Sequence, residues 1–195
     1  MNEGGPPLPP PNLGARSLPV ETLPTGTQVF RIHVSARHPR FFGRSGLWRF
    51  DSPDRSYGTL YAGRSPEVAF AETLLRGPGT LVAESELAIR SLCRFSVMRP
   101  LRVMRLYGRD LIAVGANASV TSGSYACSQT WSRALHEHPA RPDGILYRAT
   151  RDNDELAIVV FERAREAIDN GTSTSLLADP VLLGRILDHY RASIR

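Results

Sequence analysis

GTLYAGRSPEVAFAETLLR, residues 58–76, is the stretch that decides the fold of this chain. Its first residues are β-prone and indicate a short strand, after which Ser65 and Pro66 mark the start of a helix. Serine is a preferred N-cap, and proline is tolerated at the first helical position because its missing N–H needs no partner there. Glu67 strengthens the signal, since a carboxylate is stabilised at the positive end of the helix dipole. The stretch therefore predicts a strand, a tight turn and a helix that begins at Pro66.

The predicted helix has hardly any polar face, and a helix that is apolar nearly all round is usually buried. Glu72 is the only ionisable side chain in its middle, and it shares a stripe with Val68 and Leu75. A carboxylate there must find a partner, become protonated or line a pocket that a ligand completes. The bland alternative is a surface glutamate where one edge of the helix meets solvent. The helix alone leaves both interpretations open.

The length and composition of the chain bound its class. With 195 residues and a 42% hydrophobic share, the chain can form one domain with a sizeable core. No apolar run approaches the roughly 18 to 20 residues of a membrane span, and the N-terminus lacks the features of a secretory signal. We therefore expect a cytoplasmic protein without a membrane contact. The Pro- and Gly-rich residues 1–24 predict a disordered tail, and residues 25–195 a single domain.

The charged residues favour an anionic ligand or partner. The net charge is +5, and all 24 basic residues are arginine, which binds phosphates and carboxylates through a planar fork. This charge is spread along the chain, which is weaker evidence than the clustered patch of a nucleic-acid binder. Cys93 and Cys127 are far apart and lack CxxC spacing, so we expect free thiols and neither a disulfide framework nor a zinc site.

Five segments have the composition or alternation of strands, and the last two are joined by an acidic turn at residues 152–154, which indicates a hairpin. On the first of them, Arg31 falls on the face opposite Phe30, Ile32 and Val34. If packing covers both faces, Arg31 is a buried cation that awaits an anion; otherwise it is an edge arginine. The segments are residues 28–34, 92–97, 101–106, 143–149 and 156–161.

Helices are predicted from Tyr125 to about His138 and from Pro180 to Tyr190, and residues 35–57 read as a long, partly structured loop. The last helix docks on the body of the protein or on a partner subunit, so homo-oligomerisation stays open. His136, Glu137 and His138 could suggest a metal site, but adjacent helical residues diverge by about 100°. We therefore predict no metal site.

Taken together, these motifs resemble the RES domain, which is named for its Arg, Glu and Ser. The resemblance rests on VFRIH, GLWRF, residues 58–76, the Tyr-led helix and DGILYRAT…ELAIVVFE, and it covers roughly residues 29–163. RES proteins are toxins of bacterial toxin–antitoxin pairs whose fold is similar to that of ADP-ribosyltransferases. The resemblance implies an α+β fold, with a mixed, mostly antiparallel sheet flanked by helices.

The resemblance also implies an enzyme that breaks the nicotinamide–ribose bond of NAD, with phosphate or water as acceptor. NAD is then the substrate, phosphate a candidate co-substrate, and no further cofactor is expected. The implied partner is an Xre-type antitoxin with a helix-turn-helix domain, which covers the active site and contacts DNA, so that the toxin meets DNA only indirectly.

Carried over to this sequence, the family Arg falls on Arg31, the Tyr on Tyr61 and the Glu on Glu72. Many relatives carry the Ser after the Tyr-Arg pair of the last hairpin, where this chain has Ala149, so Ser128 on the preceding helix is the preferred candidate. The family's Gly-Arg-Trp-Asn is also altered, to the GLWR of residues 46–49.

The chemistry of NAD cleavage suits these side chains. Loss of nicotinamide leaves an oxocarbenium-like ribose, which Glu72 stabilises. We expect Arg31 to clamp the pyrophosphate or an incoming phosphate, Tyr61 to stack on nicotinamide, and Ser128 to donate a hydrogen bond to ribose or phosphate.

Two other classes of function stay open. A protein-modifying ADP-ribosyltransferase would use the same residues, and a non-enzymatic nucleic-acid or protein-binding module would rest on arginine charge alone.

Overall fold

The computed structural model describes residues 7–76 and 79–195. Its helices are α1 (Pro66–Leu74), α2 (Glu84–Ala88), α3 (Asp110–Val114), α4 (Ser119–Ser122), α5 (Tyr125–Glu137) and α6 (Pro180–Tyr190). Its strands are β1 (Val20–Leu23), β2 (Gln28–Val34), β3 (Thr59–Gly63), β4 (Leu81–Val82), β5 (Arg90–Ser96), β6 (Leu101–Leu106), β7 (Gly144–Arg148), β8 (Leu156–Phe161), β9 (Thr172–Ser175) and β10 (Ser193–Ile194).

An eight-stranded sheet with the order β1-β6-β7-β8-β3-β2-β5-β9 forms the centre of the molecule. Its pairs are antiparallel except for β6 with β7, and β4 with β10 form a separate parallel pair. Helix α5 packs in one apolar cluster, which also includes Val68 of α1, whereas the other buried residues of α1 belong to a second cluster. The predicted α+β class, with a mixed, mostly antiparallel sheet flanked by helices, is confirmed.

The sheet opens between two neighbouring strands. β2 pairs with β5 along its whole length and β3 pairs with β8 along its whole length, but β2 and β3 share a single register position, Phe30 opposite Gly63. Beyond that position the two strands diverge, so their backbone and side chains border a gap in place of a ladder of hydrogen bonds. This divergence creates the concave surface on which the site is built.

Helix α1 begins where its sequence predicts. Ser65 has extended backbone angles, its hydroxyl accepts a hydrogen bond from Val68 N at 3.2 Å, and Pro66 is the first helical residue. Gly63 lets the strand pass directly into the helix, because a Cβ there would lie 2.7 Å from Ala69 N and 2.8 Å from Ser65 O. The turn that joins β3 to α1 therefore has no room for a side chain at position 63.

Helices α5 and α6 also begin at capped residues. The Ser124 hydroxyl accepts a hydrogen bond from Cys127 N, and an Asp179 carboxylate oxygen accepts one from Leu182 N at 3.0 Å. Leu183 of α6 is buried in the same apolar cluster as parts of α1, so this helix docks on the body of the chain.

The prediction of a disordered tail over residues 1–24 is wrong for residues 7–24. Pro7 O accepts a hydrogen bond from Trp131 Nε1 at 2.6 Å, Leu13 is buried, and β1 pairs with β6 at the edge of the sheet. Proline lacks a backbone N–H but keeps its carbonyl, so Pro7 can still accept a hydrogen bond. An edge strand such as β1 pairs with a neighbour on one side only, so prolines close to it in sequence are tolerated. Residues 1–6 lie outside the described part of the chain.

The loop predicted over residues 35–57 is irregular apart from a single bridge between Gly43 and Thr59. Of the Gly-Pro-Gly break after α1, residues 77 and 78 lie outside the described residues. In the two described ranges of the chain, no helix is long and apolar enough to span a bilayer.

Candidate active site

A cavity of about 450 Å³ occupies the gap between β2 and β3, within the usual size range of ligand sites. Three of the four predicted site residues line it: Arg31 from β2, Tyr61 from β3 and Glu72 from α1. Each comes from a different element, and the strand divergence brings all three to one space.

The charged lining of this cavity is mostly positive. Six arginines face it, and Glu72 is the single carboxylate among the described residues that line it. A concave surface with one sign of charge raises the local concentration of ligands of the opposite sign. The arginines are Arg31, Arg37, Arg49, Arg76, Arg90 and Arg151.

The Glu72 carboxylate is fixed by backbone donors. Its Oε1 accepts hydrogen bonds from Thr150 N at 2.7 Å and from Arg151 N at 3.2 Å, both in the turn that follows β7. Its other oxygen accepts none from the residues that the structure describes. Burial in the first place, and the charge of Glu72 in the second, raise the pKa of the neighbouring Tyr147. The half-buried Glu72 therefore lines a cavity, and the interpretation as an ordinary surface glutamate does not hold.

Arg31 is a partly exposed cation on the cavity lining. Its Nη1 donates to Phe41 O at 2.9 Å, and no carboxylate of the described chain forms an ion pair with it. Burial lowers the pKa of Arg31 to about 10, so the guanidinium remains protonated at neutral pH. Arg31 thus lies between the two sequence interpretations: it is partly exposed and lines the cavity.

Tyr61 presents its ring to the cavity while its hydroxyl faces the protein. The hydroxyl donates to Asp51 Oδ1 at 3.0 Å and accepts from Phe50 N at 2.8 Å. Burial, followed by the Asp51 charge, raises the pKa of Tyr61 well above its ordinary value. Tyr61 is therefore a neutral phenol with both hydroxyl functions engaged.

Ser128 does not line the cavity. It is fully buried in α5, where its hydroxyl donates to Val120 O at 2.6 Å and accepts from Arg49 Nη1 at 3.2 Å. Its proton is committed to a backbone carbonyl, so the hydrogen bond expected from Ser128 to ribose or phosphate is not available. Thr150, the neighbour of Ala149 in the hairpin, does line the cavity, as does Thr73 of α1.

Sequence reasoning missed two contributors in the loop before β3, Arg49 and Asp51, and left Trp48 open between a pocket wall and a residue of a satellite core. Arg49 lines the cavity, donates to Gly123 O at 2.9 Å and stacks over Tyr125 at 4.7 Å. Trp48 also lines it, and Arg76 lies 4.4 Å over the Trp48 ring. Asp51 is buried directly behind them. The signal that could have revealed them is the GLWRFD run itself, in which charged and aromatic residues alternate within a long loop.

The histidine cluster at the end of α5 is structural. His136 stacks on Tyr57 with ring centroids 3.8 Å apart, and the His138 ring nitrogens lie 3.1 Å from Leu13 O and 3.0 Å from Ala140 N. Within residues 7–76 and 79–195, no group of three potential metal ligands comes together. A second cavity of about 250 Å³, under α6, contains none of the predicted site residues.

Comparisons with known proteins agree with this architecture. A family model described as the RES domain matches residues 28–179. A curated relative from Sinorhizobium fredii (strain NBRC 101917 / NGR234), named "Probable toxin y4kH", is 34% identical over 73 residues, which make up 37% of this chain. That match spans 57% of the relative, so the chain covers little more than half of the relative's length.

A solved structure shares the fold. One chain of the M. tuberculosis MbcT-MbcA toxin-antitoxin complex superposes with a TM-score of 0.58 at 17% sequence identity. The superposition covers 83% of this chain and 91% of the other.

Proposed function

The chain belongs to the RES domain family, and we propose that it is the toxin of a toxin–antitoxin pair that cleaves the nicotinamide–ribose bond of NAD. The acceptor in this proposal is phosphate or water. Relatives support the toxin role: one is named a probable toxin, and another belongs to a toxin–antitoxin complex.

The observation that carries the proposal is one fixed carboxylate in a cavity otherwise charged by arginines. NAD combines an anionic pyrophosphate with a sugar that becomes electron-poor when nicotinamide leaves. Cations suit the pyrophosphate, and a carboxylate suits the sugar. Glu72, with one oxygen held by two backbone N–H groups, keeps its second oxygen for the ligand.

In the proposed reaction, the bond between ribose C1 and the nicotinamide nitrogen breaks and its electron pair leaves with the neutral nicotinamide. The oxocarbenium-like ribose is stabilised by the negative charge of Glu72, which also accepts a hydrogen bond from a ribose hydroxyl. The acceptor oxygen then bonds to C1 and releases its proton. Arg31 holds phosphate oxygens, and the ring of Tyr61 stacks on nicotinamide.

The proposed partner is an Xre-type helix-turn-helix antitoxin that covers the cavity, with DNA contacted through the antitoxin. Exposed apolar side chains border the opening and support a protein partner there, since clustered exposed apolar groups mark interaction sites. They are Phe41 at 57%, Trp48 at 43% and Tyr125 at 45% exposure. A toxin that consumes the cellular NAD pool acts in the cytoplasm.

The first test is enzymatic. Glu72→Gln should lower kcat for NAD about 100-fold or more while NAD binding is retained, because the amide keeps the shape but loses the charge.

Arg31→Ala should raise KM for NAD instead, because it removes a phosphate contact. Glu67→Gln is the matched control: Glu67 is on the same helix, pairs with Arg185 at 3.1 Å and does not line the cavity. Chromatography of the products identifies free ADP-ribose or its phosphate ester.

The second test is cellular. Expression without an antitoxin should arrest growth and drain NAD, and Glu72→Gln should abolish both effects. Arrest at normal NAD levels would refute the proposed reaction. Transfer of label from NAD to cellular protein would instead identify the protein-modifying alternative.

A further inference from the structure

Asp51 is the most heavily hydrogen-bonded side chain around the cavity, although it does not line it. The residue is 1% exposed, and both carboxylate oxygens are used. Oδ1 accepts from two hydroxyls, those of Thr59 at 2.8 Å and Tyr61 at 3.0 Å. Oδ2 accepts from Ser45 Oγ at 2.7 Å and from the backbone N–H groups of Leu47 and Trp48, each at 3.2 Å.

These donors belong to two separate segments of the chain, each of which contributes a residue to the cavity lining, Tyr61 and Trp48. Thr59 and Tyr61 lie on β3, whereas Ser45, Leu47 and Trp48 lie on the preceding loop. One buried carboxylate therefore ties the loop to the strand. Buried charge is costly unless fully hydrogen-bonded, so displacement of the loop would leave this carboxylate without its partners.

The same loop is also held from its other side. Gln129 Nε2 of α5 donates to Gly46 O at 2.9 Å and to Trp48 O at 3.0 Å. Between the two anchors, the loop projects Trp48 and Arg49 into the cavity. Their positions thus depend on the hydrogen bonds of Asp51 and Gln129.

We infer that Asp51 is a positioning residue of the proposed NAD site, which sets the wall made by Tyr61, Trp48 and Arg49. The inference rests on the proposed function for its ligand and on the hydrogen bonds for its geometry. It also assigns the part played by Tyr61. The Tyr61 hydroxyl gives its proton to Asp51 and accepts from Phe50 N, so Tyr61 offers the ligand its ring and not a proton.

Two substitutions of Asp51 separate geometry from charge. In Asp51→Asn, the amide oxygen can still accept from Ser45 and the two backbone N–H groups, which keeps the loop anchored, whereas the amide nitrogen cannot accept the protons of Thr59 and Tyr61. KM for NAD should stay within about threefold of the wild-type value. Asp51→Leu keeps the branched shape in a larger side chain but removes every acceptor, and should raise KM about tenfold or more with a smaller change in kcat, as expected for loss of uniform binding.

A readout without NAD tests positioning directly. Trp48 is 43% exposed and Trp131 is fully buried, so acrylamide quenching of tryptophan fluorescence reports mainly on Trp48. Quenching should increase in Asp51→Leu and stay at the wild-type level in Asp51→Asn. If Asp51→Leu fails to fold, Thr59→Val and Ser45→Ala each remove one donor and should give smaller changes in the same direction.

Asp143→Asn is the matched control for a purely structural carboxylate. Asp143 is buried, accepts from Arg102 N at 2.8 Å and Arg99 at 2.9 Å, and does not line the cavity. The Asp143→Asn substitution should lower the midpoint temperature of thermal unfolding and leave both KM for NAD and the quenching of tryptophan fluorescence unchanged.

A folded Asp51→Leu protein with wild-type quenching and KM would overturn the inference, as would an Asp51→Asn protein as impaired as Asp51→Leu. Failure of the proposed function is distinguishable, because the wild-type protein would then leave NAD intact while the quenching comparison still reports on Asp51.

Discussion

At the scale of single residues, the site separates side chains that face the ligand from side chains that hold them. Glu72 and Arg31 face the cavity with charges that no described carboxylate or guanidinium neutralises by an ion pair. Asp51 and Ser128 are buried behind it and act through Tyr61 and Arg49. Substitutions in the first group should therefore impair NAD cleavage more than substitutions in the second. The effect of a buried residue is limited because the residue that it holds keeps its other hydrogen bonds.

Ser128→Ala tests this difference. Arg49 loses one hydrogen bond but keeps its contact with Gly123 O and its stack on Tyr125, so KM for NAD should rise only about two- to tenfold. Steady-state kinetics measures the change. Thr130→Ala is the control, since Thr130 is exposed on the same helix and bonds only to Ala126 O. A loss as large as that of Glu72→Gln would contradict the indirect role and point to direct contact with substrate.

At the scale of elements, the position of Glu72 is decided by three units that meet at α1. The β3–α1 turn sets where the helix begins, and the β7–β8 turn supplies the two N–H groups that hold the carboxylate. Helix α6 in turn holds that second turn, because the Tyr190 hydroxyl donates to Asp152 Oδ2 at 3.0 Å. A short helix of nine residues gains most of its stability from such packing.

Gly63→Ala tests the β3–α1 turn. The added methyl group would lie under 3.0 Å from Ala69 N, Ser65 O and Val68 Cβ, so the backbone must shift. We expect a loss of about 1 to 3 kcal/mol in the free energy of unfolding, measured by urea denaturation, and lower NAD cleavage because Tyr61 and Glu72 flank this turn.

Gly184→Ala is the opposite case and serves as the control. Nothing lies within 4 Å of the added methyl group in the interior of α6, so the substitution should stabilise the protein by about 0.5 to 1 kcal/mol. Equal effects of the two substitutions would refute the steric argument for Gly63.

At the scale of the whole molecule, packing commits several ionisable groups to one protonation state. The His136 ring lies against Tyr57 and meets Phe161 edge-on, 5.1 Å between centroids. Burial, and after it the charge of Arg163, lower the pKa of His136 to about 4. Burial also lowers the pKa of His33. Folding therefore selects the neutral form of both rings.

Stability should consequently fall in mild acid. The unfolded chain, with a histidine pKa near 6.5, binds more protons than the folded chain as the pH drops from about 6.5 to about 4. His136→Phe keeps the aromatic contacts and removes the titration. The fall in unfolding free energy across this window should be smaller in the variant by on the order of 1 kcal/mol, allowing for solvent around the half-buried ring. Because His33 is common to both proteins, the difference isolates His136, and identical pH profiles would contradict the assignment.

The sequence by itself determined what depends on neighbours along the chain. Serine or aspartate before proline marked the starts of α1 and α6, composition or alternation marked five of the strands, and motif resemblance singled out Arg31, Tyr61 and Glu72. Capping, turns and periodicity act within a few residues, so they can be read without a structure.

Only the tertiary structure decided which side chains meet. The divergence of β2 from β3 opens the cavity, Thr150 reaches Glu72 across 78 positions, and Trp131 holds residue Pro7 across 124. The tertiary structure also decides that Ser128 lies outside the cavity lining and that Asp51 connects the loop before β3 to β3 itself. Hydrogen bonds between distant residues depend on strand order and helix docking, which local patterns do not encode, because the free energy of such contacts exists only once the sheet has assembled.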